Sequence, residues 1–147
     1  MSDYLDFFTH AEALQIKEAI QSAEKKTSGE IRVHIEDYCN HLVMDRATQV
    51  FNKLKMSDTK ERNGVLFYIS VKDRDFAVIG DEGIHAKVID GYWEDLCREM
   101  EKFFRSAHFV EGLVQAIHKA ADSLATYFPF QLDDANELSD DISVGHI

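Results

Sequence analysis

Apolar and polar positions follow two different periods along the chain, and the switches between them mark its elements. Leu14, Ile16, Ala19, Ile20 and Ala23 recur at helical spacing, behind a Thr9/Glu12 pair at capping-box distance. Thr27-Ser28-Gly29 stops this helix. The period then changes to two: Ile31, Val33 and Ile35 alternate with polar residues, which predicts a strand over 31–36. DYCNHL at 37–42 reads as a loop, and Val43, Ala47, Val50, Phe51 and Leu54 return to helical spacing. A polar loop, SDTKERNG, leads into VLFYISV at 65–71, an almost continuous run of strand formers. Such a run predicts a central strand covered on both faces. The charged turn KDRD separates it from FAVI at 76–79, close enough to close a hairpin. After GDEG the pattern is helical throughout: a short helix around Ile84, Val88 and Ile89, a longer one through Trp93, Leu96, Met100, Phe103 and Phe104, and a last one through Leu113–Leu124 that ends before Pro129. The Trp93–Phe104 stripe reads as core.

This order predicts an α/β fold. Strand-helix-strand implies a right-handed parallel crossover, and the hairpin adds an antiparallel third strand. The expected result is a small mixed sheet with helices on both faces. Residues 131–147 hold five acids and no Lys or Arg, and show no periodicity. They read as a flexible acidic tail behind a single domain over 1–130.

Composition narrows the function classes. The 147 residues carry a net charge of -11, which opposes binding to a nucleic-acid backbone or an anionic membrane surface. No apolar run is long enough to span a membrane, and MSDYLDFF lacks the basic and apolar regions of a secretory signal, so a cytoplasmic location is expected. The two cysteines, Cys39 and Cys97, read as free thiols. HExxH, paired CxxC, P-loop, GxSxG and Cys-x5-Arg motifs are all missing. His34 alternates outward on the first strand, and His85 reads as a surface helix residue.

Strand direction brings four candidate ligands together. If the first two strands are parallel, Glu30 and Asn63 enter the sheet at the same end, and the exit of the third strand, Gly80-Asp81-Glu82-Gly83, lies there too. Carboxylate and amide oxygens from Glu30, Asn63, Asp81 and Glu82 are the donors that calcium and magnesium prefer. A plainer reading stands beside it: Asp81 or Glu82 caps the next helix, and Asn63 serves its turn. The opposite end has its own acids, Glu36, Asp37, Asp73 and Asp75, read as a solvated turn, with a secondary cation site as the alternative.

The motifs T-S-G-E-I at 27–31, N-G-V-L at 63–66, V-I-G-D at 78–81, F-F-R at 103–105 and E-G-L at 111–113 resemble, in this order, those of the TPM domain family. The likeness covers roughly residues 5–128. It implies a three-layer α/β/α sandwich. It also implies a choice of roles, because some members are acid phosphatases and others bind calcium or another divalent metal. Many bacterial members carry a signal peptide and a C-terminal membrane segment, and this sequence has neither pattern. The expected function is a divalent-cation-binding accessory or interaction module. The alternative is a metal-dependent acid phosphatase, in which Asp81 and Glu82 hold the metal and Arg32 or Arg62 takes the phosphate. The expected partners are a divalent cation and a membrane-associated protein, with no nucleic acid and no direct membrane insertion.

Overall fold

The computed structural model describes residues 8–131 and 142–145. Helix α1 (His10–Glu24) starts on the expected capping box: Glu12 N donates to Thr9 Oγ1, and Thr9 N donates to Glu12 Oε1. Strand β1 (Glu30–Glu36), helix α2 (Val43–Lys53), strand β2 (Gly64–Ser70) and strand β3 (Asp75–Gly80) follow. Then come the short helix α3 (Glu82–His85), α4 (Tyr92–Arg105) and α5 (Phe109–Tyr127).

The sheet is mixed, with strand order β3-β2-β1-β4, where β4 is the short segment Ser143–Val144. β1 and β2 run parallel with Ile31 opposite Val65, and β2 and β3 run antiparallel with Phe67 opposite Val78. β2 is central and buried along its whole length, as its unbroken apolar run predicts. Its alternate side chains divide between two cores. Val65, Phe67 and Ile69 join Ile31, Val33 and Ile35 beneath α1, α4 and α5. Leu66 and Tyr68 face Ala47, Val50 and Phe51 of α2 on the other side. Burying a side chain such as Phe67 contributes about 1.5–3 kcal/mol, so both faces need their helices. This is the three-layer arrangement expected from the sequence.

One strand was not expected. β4 (Ser143–Val144) pairs parallel to β1 opposite His34 and Ile35, and Gly145 N donates to Ile35 O at 2.8 Å. Ile142 packs against the larger core. Two residues are too few to show a period of two, so the sequence of 142–145 reads as part of a tail. Residues 132–141 and 146–147 of that expected tail lie outside the described residues. Among the described residues, no helix is long and apolar enough to cross a membrane.

Candidate functional site

The parallel crossover does bring the predicted segments to one edge. Glu30 opens β1 opposite Gly64, and its N–H donates to Asn63 O at 3.4 Å. β3 leaves the sheet beside them, where Asp81 N donates to Gly64 O at 2.8 Å. Glu30, Asn63 and Asp81 are buried, while the Glu82 side chain reaches solvent. The turn before β1 is fixed by Thr27, whose hydroxyl donates to Phe128 O and accepts from Gly29 N.

The residue that organises this edge is Arg62. Its Nε donates to Asp81 Oδ2 at 2.7 Å and its Nη2 to Asp81 Oδ1 at 3.0 Å, a two-pronged pair. Its Nη1 lies 3.2 Å from Glu82 Oε1. Arg62 adopts a left-handed backbone, φ 54°, a conformation costly for a residue with a Cβ. Gly83 makes that turn possible. Its N–H donates to Arg62 O at 2.8 Å, and a Cβ there would stand 2.0 Å from Glu61 O. Asp81 also caps α3, its Oδ1 accepting from Glu82 N at 2.8 Å. The capping reading of Asp81 is therefore correct as far as it goes, and Arg62 supplies the positive charge that neighbouring carboxylates need.

Asn63 is differently placed. Its Nδ2 donates to Ser28 Oγ at 3.4 Å, and Ser28 Oγ donates to Glu61 Oε2 at 3.2 Å. Its Oδ1 is buried and accepts no hydrogen bond among the described residues. A buried amide oxygen without a donor is uncommon, and it is a site where an ion or ordered water is gained at little cost. The donor chemistry of Glu30, Asn63, Asp81 and Glu82 is all oxygen and suits a hard divalent cation. Arg62 already holds two of the four. Among the described residues, no group of three or more His, Cys, Asp or Glu side chains is arranged to hold a metal ion.

The carboxyl edge departs further from the sequence reading. Glu36 is fully buried rather than part of a solvated turn. Arg46 of α2 donates to it from Nη2 at 2.6 Å and from Nε at 2.9 Å, and the Tyr68 hydroxyl donates at 2.9 Å. Burial raises the Glu36 carboxyl, but the Arg46 and Tyr68 hydrogen bonds outweigh it and hold the group below its ordinary value. His34 is buried too, correcting its outward assignment: α2 covers the face to which it alternates. Its Nδ1 is hydrogen-bonded to Ser143 Oγ at 2.8 Å, and its Nε2 lies 3.7 Å from Glu36 Oε2. Burial lowers its pKa to about 4, against an opposing pull from Glu36. Arg46 was missed although its signal was present. It stands three residues after Val43 and four before Val50, on the buried stripe of α2. Asp73 accepts from Ser70 Oγ and Cys39 N, which lowers its carboxyl pKa and ties the hairpin turn to the 37–42 loop. His85 Nδ1 accepts from Trp93 Nε1 at 3.0 Å.

The TPM domain family model matches residues 1–123. The BA42 protein of the psychrophilic bacterium Bizionia argentinensis, solved by NMR, is 46% identical, with a TM-score of 0.88 over 95% of this chain and 96% of that one. The N-terminal domain of a P. gingivalis protein shares 16% identity and a TM-score of 0.68 over 82% of this chain and 78% of its own, a likeness of fold alone. A search of curated proteins finds no match.

Proposed function

The chain belongs to the TPM domain family, and on that premise we propose that it is a divalent-cation-responsive accessory domain whose sensing edge is Glu30, Asn63, Asp81 and Glu82. Arg62 is the resident counter-charge of that edge. A calcium or magnesium ion and the Arg62 guanidinium compete for the same carboxylates, so ion binding releases Arg62 to solvent. The observation that carries the reading is Asn63 Oδ1, a buried acceptor with no donor among the described residues, in the residue next to Arg62, which holds Asp81 and Glu82. Hard cations take such carbonyl oxygens together with carboxylates. The exchange couples ion binding to the 59–63 loop, because Arg62 and Asn63 are consecutive residues and Gly83 is bonded to the carbonyl of Arg62.

The alternative reading, a metal-dependent phosphomonoesterase, is favoured by the same arginine. A guanidinium released from Asp81 can bind a phosphate through two parallel N–H groups. A bound cation would supply Lewis-acid polarisation of the phosphoryl oxygen there.

Titration of the protein with calcium and with magnesium, followed by backbone amide shifts, tests the reading. Shifts confined to 28–31, 59–64 and 80–85, enlarged in Arg62→Gln, are expected. An unresponsive edge in both proteins contradicts it. Turnover of a chromogenic phosphate ester that is lost in Asp81→Asn selects the enzyme.

A further inference from the structure

At the opposite end of the sheet, a cavity of about 460 Å³ opens between the β2–β3 hairpin and the α4–α5 junction. Its size lies within the range of small-molecule sites, and it sits beyond the carboxyl end of β2, the side on which open α/β sheets bind ligands. We propose that it binds a small amphipathic carboxylate, with the apolar body on a row of phenyl rings and the head on Arg74.

The rings form a continuous floor. Phe76 meets Phe104 edge-on at 4.9 Å between centroids, Phe104 meets Phe109 at 4.5 Å, and Phe109 stacks on Phe8 at 6.2 Å. All four line the cavity, and Phe76, Phe104 and Phe109 are only half-buried. Contiguous aromatic surface left partly open to water costs stability unless something covers it. The charges at the rim specify the occupant. Two acids lie there, but both are engaged: Glu12 accepts from Thr9 N in the α1 cap, and Asp75 Oδ1 accepts from Phe76 N at 2.9 Å. Of the two arginines, Arg105 is paired with Glu101 at 2.6 Å. Both acids keep their charge, but the Arg74 guanidinium makes no hydrogen bond or ion pair among the described residues, so it is the cation at the rim left open to an anionic head.

The backbone supports this assignment. Arg74 has φ 53° and Ala107 has φ 64°, so two of the left-handed non-glycine residues border the same cavity. A hairpin turn at that conformation favours Gly or Asn. An arginine there costs stability that its guanidinium does not recover in a hydrogen bond or ion pair among the described residues, which is the pattern of strain retained for a ligand.

The test is a titration of the full chain with decanoate and with 4-phenylbutyrate, followed by amide and aromatic shifts, beside the neutral 4-phenylbutanamide. The expected result is shifts over 69–76 and 104–110, with the amide binding roughly tenfold or more weakly, as loss of a charge-assisted hydrogen bond implies. Arg74→Gly should weaken carboxylate binding by a similar factor while melting at the same or a higher temperature, because glycine relieves the turn. Equal binding of the amide, carboxylate binding unchanged in Arg74→Gly, or no shifts at millimolar ligand would each overturn the proposal. The cation edge lies at the other end of the sheet, so either outcome leaves the cation titration independent.

Discussion

Arg62 grips Asp81 through Nε and Nη2, at 2.7 and 3.0 Å. That contact offsets one of the two negative charges that Asp81 and Glu82 bring to this edge. It also explains how the fold tolerates Asp81 in a buried position. The proposed exchange of this side chain for an ion would leave the sheet in place, since Arg62 is on a loop and 42% of its side chain is exposed.

Gly83 is where this geometry is most easily broken. A Cβ at this position would stand 2.0 Å from Glu61 O and 2.5 Å from Arg62 O, both backbone atoms that cannot turn aside. Gly83→Ala is expected to cost about 1–3 kcal/mol, the usual range for overpacking. It should also displace the 59–63 loop, which amide shifts of Arg62 and Asn63 would report. An unchanged melting temperature and unchanged shifts would show that the loop yields freely.

Arg46 and Glu36 form a second pair, and it is structural. Removing the arginine leaves a carboxylate in the α2-side core without its guanidinium, the Tyr68 hydroxyl and the His34 ring staying beside it. Arg46→Ala is expected to destabilise the domain by about 3–5 kcal/mol, as when one partner of a buried pair is lost. Replacing both residues, as Arg46→Met with Glu36→Gln, should recover part of that loss. Chemical denaturation of the three proteins checks it, and a single variant as stable as the parent would contradict the assignment.

How far the sequence led depends on what each residue reports. The central strand, the parallel crossover and the gathering of Glu30, Asn63 and Asp81 followed from periodicity and strand direction alone. Glu36 and His34 did not, because a period of two says which face a residue occupies and not whether that face is covered. Arg46 on the buried stripe of α2 was the available sign that the second face holds a charge. Arg62 was named only as a phosphate candidate. Its left-handed turn depends on the close approach of Gly83, a contact between segments separated in sequence.

His34 gives the domain an acid sensitivity of definite sign. Burial lowers its pKa from the ordinary 6.5 to about 4. Between those values the unfolded chain takes up a proton that the folded one refuses, so stability falls as pH drops through this window and levels off below it. The loss is on the order of 3 kcal/mol at 1.36 kcal/mol per unit. Glu36 adds to it in the same direction below 4.5, where its unfolded form protonates first. Denaturation midpoints measured from pH 7 to pH 4 should fall, and His34→Gln should flatten the upper part of the curve. A flat profile in the parent protein would count against the buried neutral imidazole.

β4 reverses an expectation about the C-terminal segment. From sequence alone, deleting 131–147 should leave the melting temperature nearly unchanged. With Ser143 bonded to His34, Gly145 bonded to Ile35 and Ile142 against the core, truncation after residue 141 should lower it by several degrees, roughly 1–2 kcal/mol for the lost bonds and apolar contact. Thermal unfolding of the truncated and intact proteins decides it. Equal midpoints would mean that β4 contributes nothing to stability.

Competition between a divalent cation and Arg62 for Asp81 and Glu82 is the proposed chemistry of this edge. It is tested most directly by calorimetric titration of calcium into the parent protein, Arg62→Gln, and Arg62→Gln combined with Glu30→Gln and Asp81→Asn. Removing the competitor should tighten calcium binding about tenfold or more, since a charge-assisted pair no longer has to be broken. Removing the ligands should then abolish it. Binding that is equal in the parent protein and Arg62→Gln, or that survives in the triple variant, would contradict the account.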